Sequence, residues 1–252
     1  MKIILTHDAD SVYKPIEHIL ARRERFTKKD LKAAENGALN LYNNIEEIVH
    51  LEAELGFQST FFLPTFLFNL YTIIDTLKTI QTEGTELQLH YVHEDHPQFK
   101  GLFNIQRAFF SDLIGNIHGV RCHNLWITPS LLELFKDEGI LYDSSYRSVT
   151  VQRIDPYKLD TGLIEIPIGI MDTDLFGRLQ LTENEAWKYI LKDLDVAKEI
   201  HAEYFTFLFH QESFRMKGGR LYAKLLKHLT HEGYEGIRCC DLPLVQEALK
   251  KV

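Results

Sequence analysis

Near the start of the chain, Thr6-His7-Asp8-Ala9-Asp10 places two carboxylates and an imidazole within four positions, directly after the apolar run Ile3 to Leu5. Similar groups recur at the ends of other apolar runs. Glu86 to Leu89 leads into His90, with His93, Glu94, Asp95 and His96 following, and Ile117 to Val120 leads into Arg121 and His123. Ile140 to Tyr142 ends in Asp143, Leu163 to Ile168 runs on into Met171, Asp172 and Asp174, and Tyr204 to Phe209 ends in His210. These residue types suit one chemistry. A divalent metal held by carboxylate and imidazole, with a position left open, lowers the pKa of a water from about 16 to about 7. On that reading Asp10 and His90 are candidate ligands. His93 at i+3 or Glu94 at i+4 completes the set, both sharing a face with His90 if the segment is helical. Asp8 points to the same side as Asp10 in an extended chain and is the candidate base. His210 is the candidate acid for the leaving group, and Arg121 can orient a carboxylate through its bidentate fork.

Taken one at a time, these residues have plainer readings. An Asp after a strand is an ordinary turn residue, and a His there is an ordinary hydrogen-bonded one. A shared site is favoured because all the groups fall at one kind of place in the pattern. Apolar runs alternate with helical periodicity along the whole chain. Asn43 to Phe57, Leu70 to Gly84, Phe99 to Gly115, Thr128 to Gly139, Thr182 to Glu203 and Gly219 to Gly233 read as helices. Thr128-Pro129 and the pair Thr182 and Glu185 mark two N-termini. The runs between them, together with a last one at Ile237 to Cys240, read as strands. This alternation predicts an α/β protein, a distorted (β/α) barrel of seven or eight mainly parallel strands with 1–252 as one domain. In such a fold the C-terminal ends of the strands carry the chemistry.

The 252 residues include 45% hydrophobic and 25% charged, and the net charge of −8 argues against a nucleic-acid partner. No run is long enough to span a bilayer, and the first residues lack the core and cleavage site of a signal peptide. Cys122, Cys239 and Cys240 form no disulfide framework, and the adjacent pair lacks zinc-site spacing, so it is expected to be buried packing. The expectation is a cytoplasmic protein.

The same residues carry a resemblance. The chain resembles the polysaccharide deacetylases (carbohydrate esterase family four, the NodB-homology group), with five segments in the family's order over nearly the whole length. The family's Thr-Phe-Asp-Asp motif is matched by Thr6 to Asp10 with one residue inserted, which implies that Asp8 is the base and Asp10 a metal ligand. The His-Ser/Thr-x-x-His motif keeps His90, has Glu94 at the second position and offers His93 beside it. Gly119 to Asn124 supplies Arg121, the partner of the base, and Leu141 to Tyr146 supplies Asp143. Leu208-Phe209-His210 fits the Leu-x-His motif, which implies an acetyl pocket at Leu208 and an acid at His210. The segment Leu163 to Phe176, with Asp172, is similar to divergent members that open with Thr-His-Asp-x-Asp, among them a WbmS-like branch that accompanies O-antigen or surface-polysaccharide synthesis.

The resemblance implies metal-dependent removal of an acetyl or other acyl group from an amino sugar, with zinc as the expected cofactor. A cytoplasmic, acidic chain fits a small-molecule or lipid-linked sugar better than an exported polymer. Two rivals stand beside this reading: a C–N hydrolase acting on another amide, and a non-catalytic sugar-binding protein on the same barrel. The basic run Ala21 to Lys32 reads first as a solvated helix at the barrel mouth, with phosphate binding by Arg22, Arg23, Arg25, Lys28 and Lys29 as the alternative. Gly218-Gly219 reads as a loop, with an anion seat as its alternative. Trp126, Tyr146 and Phe176 are candidates for stacking on a sugar ring, against the ordinary reading of core aromatics.

Overall fold

The computed structural model describes residues 1–93 and 99–251. Its centre is β1 (Lys2–Asp8), whose Ile3, Ile4 and Leu5 are all fully buried. A strand so apolar on both faces belongs inside a parallel sheet covered by helices. Parallel neighbours follow on one side in chain order: β2 (Ser59–Leu63), β3 (Glu86–Tyr91), β4 (Gly119–Cys122) and β5 (Tyr142–Asp143). Next come β6 (Tyr157–Lys158) and β7 (Ile164–Glu165), an antiparallel pair whose β7 joins β5 in parallel. On the other side β1 is flanked by β9 (Tyr204–Leu208), and β9 by β8 (Ile170–Met171), while β10 (Glu235–Gly236) pairs with the start of β1.

The sequence led us to expect seven or eight strands. The described residues form ten, five of them only two residues long, in a curled, mostly parallel half-barrel sheet. Two stretches account for the difference: Tyr157–Lys158 adds a short strand beside β7, and the run that follows divides in two. Ile164 to Met171 looks like one strand but pairs with β5 at its start and with β9 at its end. The last strand also lies earlier than expected. It is at Glu235–Gly236, while Cys239–Asp241 form a 3₁₀ turn. There the amides of Cys239 and Cys240 donate to Thr60 Oγ1 and Glu86 Oε2 instead of to a neighbouring strand. Of the adjacent pair expected to be buried packing, Cys239 is buried and Cys240 half-buried, and the cysteines are free.

In chain order the helices are α1 (Ile16–Leu20), α2 (Lys28–Glu35), α3 (Ile45–Glu54), α4 (Ile74–Thr82), α5 (Phe99–Leu113), α6 (Pro129–Asp137), α7 (Ser148–Val151), α8 (Glu183–Glu199), α9 (Lys217–His231) and α10 (Pro243–Leu249). The capping box at Thr182 and Glu185 starts α8, and Thr128 with Pro129 starts α6. Helix α9 shows why they pack where they do. Leu221, Tyr222, Leu225, Leu226 and Leu229 form one buried stripe, and a buried Leu or Phe is worth about 1.5–3 kcal/mol. No described helix is long and apolar enough to cross a membrane.

Two local readings change. The basic run is not one helix: Arg23–Arg25 form a 3₁₀ turn, and Thr27, accepting from the amide of Asp30, caps α2 separately. Gly218 and Gly219 are buried in the first turn of α9. A Cβ on Gly219 would lie 1.6 Å from the carbonyl oxygen of Phe214, so this glycine permits a backbone contact.

Candidate active site

Parallel register brings the strand ends to one rim. Asp8 is level with Phe62, His90 with Arg121, and Met171 with Leu208, so Asp172 and His210 emerge beside each other just beyond β8 and β9. Asp8, Asp10, His90, His123, Asp172 and His210 all line one cavity of about 960 Å³. The residue inserted in Thr6 to Asp10 is Ala9, which is fully buried and whose amide still donates to Phe62 O. Asp8 and Asp10, on either side of it, both reach the cavity. His7 takes no part. Its Nδ1 lies 2.8 Å from the carbonyl of Phe209 and its Nε2 2.8 Å from Glu52, in a buried contact that ties β1 to the residue before His210.

Asp10, His90 and His123 converge. Asp10 Oδ1 lies 3.2 Å from His90 Nε2 and 3.3 Å from His123 Nδ1, and the two ring nitrogens are 3.2 Å apart. Three ligands held about 2.0–2.1 Å from a tetrahedral ion stand about 3.3–3.4 Å from one another, since the tetrahedral edge is about 1.6 times the bond length. The observed triangle matches that spacing to within about 0.2 Å. Asp10 Oδ1 is also buried with no hydrogen bond of its own, which leaves a lone pair to give. The residues present therefore fit a divalent ion. Burial opposes it, but the His123 and His90 rings hold the Asp10 carboxyl far below its usual range, and Asp10 in turn pushes the His123 ring up.

The third member is not one of those expected. His93 is turned away from the cluster, its Nε2 lies 2.9 Å from the carbonyl oxygen of Trp126, and its ring stacks on Tyr91 and Trp126. Glu94, Asp95 and His96 lie outside the described residues. His123 follows β4 by one position, where the chain turns through Asn124 and Leu125 at φ 57° and 54°. Non-glycine residues in the left-handed region cost free energy and cluster at functional sites.

Two charged pairs flank the triangle. On one side Asp8, 2% exposed, accepts from Arg121 Nη1 at 2.9 Å, and its Oδ2 lies 3.9 Å from His90. Arg121 is fully buried, donates to Ser144 O and Oγ, and packs 4.2 Å over the Phe62 ring. Burial works against ionisation of Asp8, yet Arg121, His90 and His210 hold its carboxyl below the usual value. On the other side His210 Nε2 lies 3.9 Å from Asp10 Oδ2. His210 Nδ1 is 2.7 Å from Asp172 Oδ1, and Asp172 Oδ2 accepts from the His210 amide and from Ser213. Burial pulls His210 down, but Asp172 outweighs it and raises the imidazole well above its ordinary value.

Asp172 thus lines the cavity and also positions His210. Asp143, expected among the catalytic residues, stands behind the cavity wall. It is fully buried, accepts from Ser145 N and Oγ, and lies against Glu165, whose carboxyl burial and Asp143 push well above its usual range. That pair keeps a proton inside the core. Leu208 is fully buried, and neither it nor Trp126 lines the cavity, whereas Tyr146 does. Glu212 escaped the sequence reading altogether. It faces the cavity, and burial pushes its carboxyl up to about 8, so near neutral pH it is mostly a hydrogen-bond donor. Its only signal was its place two residues after His210.

No protein-family model matches the sequence, and no curated protein matches it. Solved structures do match. A Mycobacterium smegmatis protein assigned as a polysaccharide deacetylase superposes with TM-score 0.73 at 16% identity, covering 100% of this chain and 91% of that one. The fold is shared with the polysaccharide deacetylases. The allantoinase PuuE superposes at 0.68 with 16% identity, covering 97% and 89% of the two chains. A family-four pseudoenzyme from Bacillus anthracis superposes at 0.58 with 9% identity, covering 96% and 64%. Since the same fold is used by enzymes and by a pseudoenzyme, this chain's activity has to be argued from its own residues.

Proposed function

We propose that the chain is a metal-dependent deacylase that hydrolyses an acetamido or related acylamino group on a sugar. The observation that carries the reading is a ligand triangle flanked within 3.9 Å by a carboxylate on one side and an imidazole on the other. Asp10, His90 and His123 would hold the ion, and the donor set of one carboxylate and two imidazoles suits zinc. When bound, the ion supplies Lewis acidity, polarising a carbonyl and acidifying a water.

The chain's own groups divide the proton work. Asp8, kept ionised and aimed by Arg121, accepts the proton of the attacking water. Asp172 binds Nδ1 of His210, which leaves Nε2 facing the cavity with a proton for the departing amine. General acid catalysis of this kind is worth about 10²–10⁴-fold. Glu212 can donate to a substrate oxygen near neutral pH. A plain sugar binder has no need of a base with its own buried arginine or an acid with its own carboxylate. The likeness to an allantoinase supports amide hydrolysis more broadly, with a cyclic amide as the second reading.

The test is acetate release from a panel of N-acetylated amino sugars by zinc-loaded protein, beside Asp8→Asn. The reading expects turnover that falls at least a hundredfold in the variant while zinc stays bound. Turnover equal in both would remove Asp8 as the base. Release of a carbamoyl or ring-opened product from cyclic amides alone would transfer the mechanism to the second reading.

A further inference from the structure

The cavity wall carries more positive charge than the catalytic set accounts for. Asp8 is taken by Arg121 and Asp172 by His210. Asp174 is shared by two guanidinium groups, Arg147 at 3.0 Å and Arg178 at 2.8 Å. Glu212, with its carboxyl pushed up to about 8, adds little negative charge near neutral pH. Arg22 and Arg25 remain on the same wall.

Neither has a firm carboxylate. Arg25 reaches Glu24 at 3.9 Å, with side chains 53% and 71% exposed, and such a pair contributes almost nothing. Arg22 makes no ion pair among the described residues, and its Nη1 donates instead to His18 Nδ1 at 3.3 Å. Besides partial burial, Arg22, Lys14 and Arg25 hold the His18 ring below its ordinary value, as expected of a ring inside a cationic cluster. In a chain of net charge −8, this is a local excess of the opposite sign. Arg23, Lys28 and Lys29, from the same basic run, do not line the cavity.

Arg25 also lines a second cavity of about 410 Å³, which shares Asp172, Ser213 and Met216 with the first and is walled by Phe176. The two volumes adjoin through these shared residues: the first holds the metal triangle with Arg22 and Arg25, and the second adds Phe176, with Glu24 and Lys217 at its charged margin. We infer that the substrate is a phosphorylated sugar whose phosphate or diphosphate is held by Arg22 and Arg25, while the group beyond the phosphate enters the second cavity at Phe176 and Met216. Two guanidinium groups without a close carboxylate suit a multiply charged tetrahedral anion, which the fork geometry of arginine recognises. The sugar half of this inference rests on the deacylase reading, but the anion half does not.

The probe is inorganic pyrophosphate, titrated calorimetrically into the full chain, zinc-loaded and chelator-treated in parallel. Saturable binding is expected in both forms and at least tenfold weaker in Arg22→Ala/Arg25→Ala. Lys28→Ala/Lys29→Ala should bind as wild type does, because those lysines lie off the cavity. All four residues are on the surface, and circular dichroism verifies the fold. The inference falls if wild type does not bind, if the two double variants weaken binding equally, if binding needs the metal, or if glucuronate binds as tightly as pyrophosphate. UDP and hexyl phosphate distinguish the sources: a gain over pyrophosphate with UDP marks a nucleotide-linked sugar, and a gain with hexyl phosphate a lipid-linked one. Zinc content of the same preparations keeps the two readings apart, since wild type without zinc would end the deacylase reading and leave the anion result standing.

Discussion

Replacing Asp172 with Asn tests the proposed acid without needing a known substrate. His210 Nδ1 and Asp172 Oδ1 are 2.7 Å apart, with side chains 14% and 2% exposed, so water screens the pair little. A hydrogen bond between charged groups is worth about 1.5–3 kcal/mol, and one pKa unit corresponds to about 1.4 kcal/mol. Asp172→Asn should therefore lower the His210 pKa by about one to two units, since the charge that outweighs burial is then removed. The assay is the His210 ring proton signal in NMR, followed from mildly acid to alkaline pH in the metal-free protein. Stability must follow with a definite sign. The folded pKa is raised, so this pair's contribution is full below the unfolded value of about 6.5 and is lost as pH rises through the folded value. The urea stability gap between wild type and variant should thus be widest in mild acid and narrow in alkali. An unchanged titration, or a gap that widens with pH, would refute the argument.

Arg121→Met leaves the Asp8 carboxylate buried without its partner and should cost about 3–5 kcal/mol in urea unfolding. A loss below about 1 kcal/mol would mean that Asp8 is not held as a charge. Gly219→Ala sets a Cβ against the carbonyl oxygen of Phe214 and should cost at least about 3 kcal/mol or prevent folding, whereas Gly233→Ala, at φ 73° with open space around it, should cost only about 1 kcal/mol.

Much of the site follows from period and register. Asp8, Asp10, His90, Arg121 and His210 could be found in the sequence because a parallel sheet brings every strand's C-terminal end to one rim. The third member of the triangle could not be read the same way. His93 is suitable by helical spacing, but β3 runs to Tyr91 and no helix begins before His93. The His93 ring stacks on Tyr91 instead of turning to His90. His123 reaches the cluster through a turn with two left-handed residues, which no spacing rule reveals. The run Leu163 to Ile168 gives no sign of which strand its continuation joins. Only the pairing of Ile170 and Met171 with β9 places Asp172 beside His210. Likewise the separate turn at Arg23–Arg25, hidden within a basic run, decides which arginines reach the cavity and which face water.

The most direct test of the metal centre is metal content after zinc loading and dialysis, measured on wild type, Asp10→Ala, His123→Ala and His93→Ala with the fold of each verified. The account predicts close to one zinc per chain in wild type and His93→Ala, and none retained in Asp10→Ala or His123→Ala. Zinc kept by His123→Ala and lost from His93→Ala, or wild type that binds none, would contradict it.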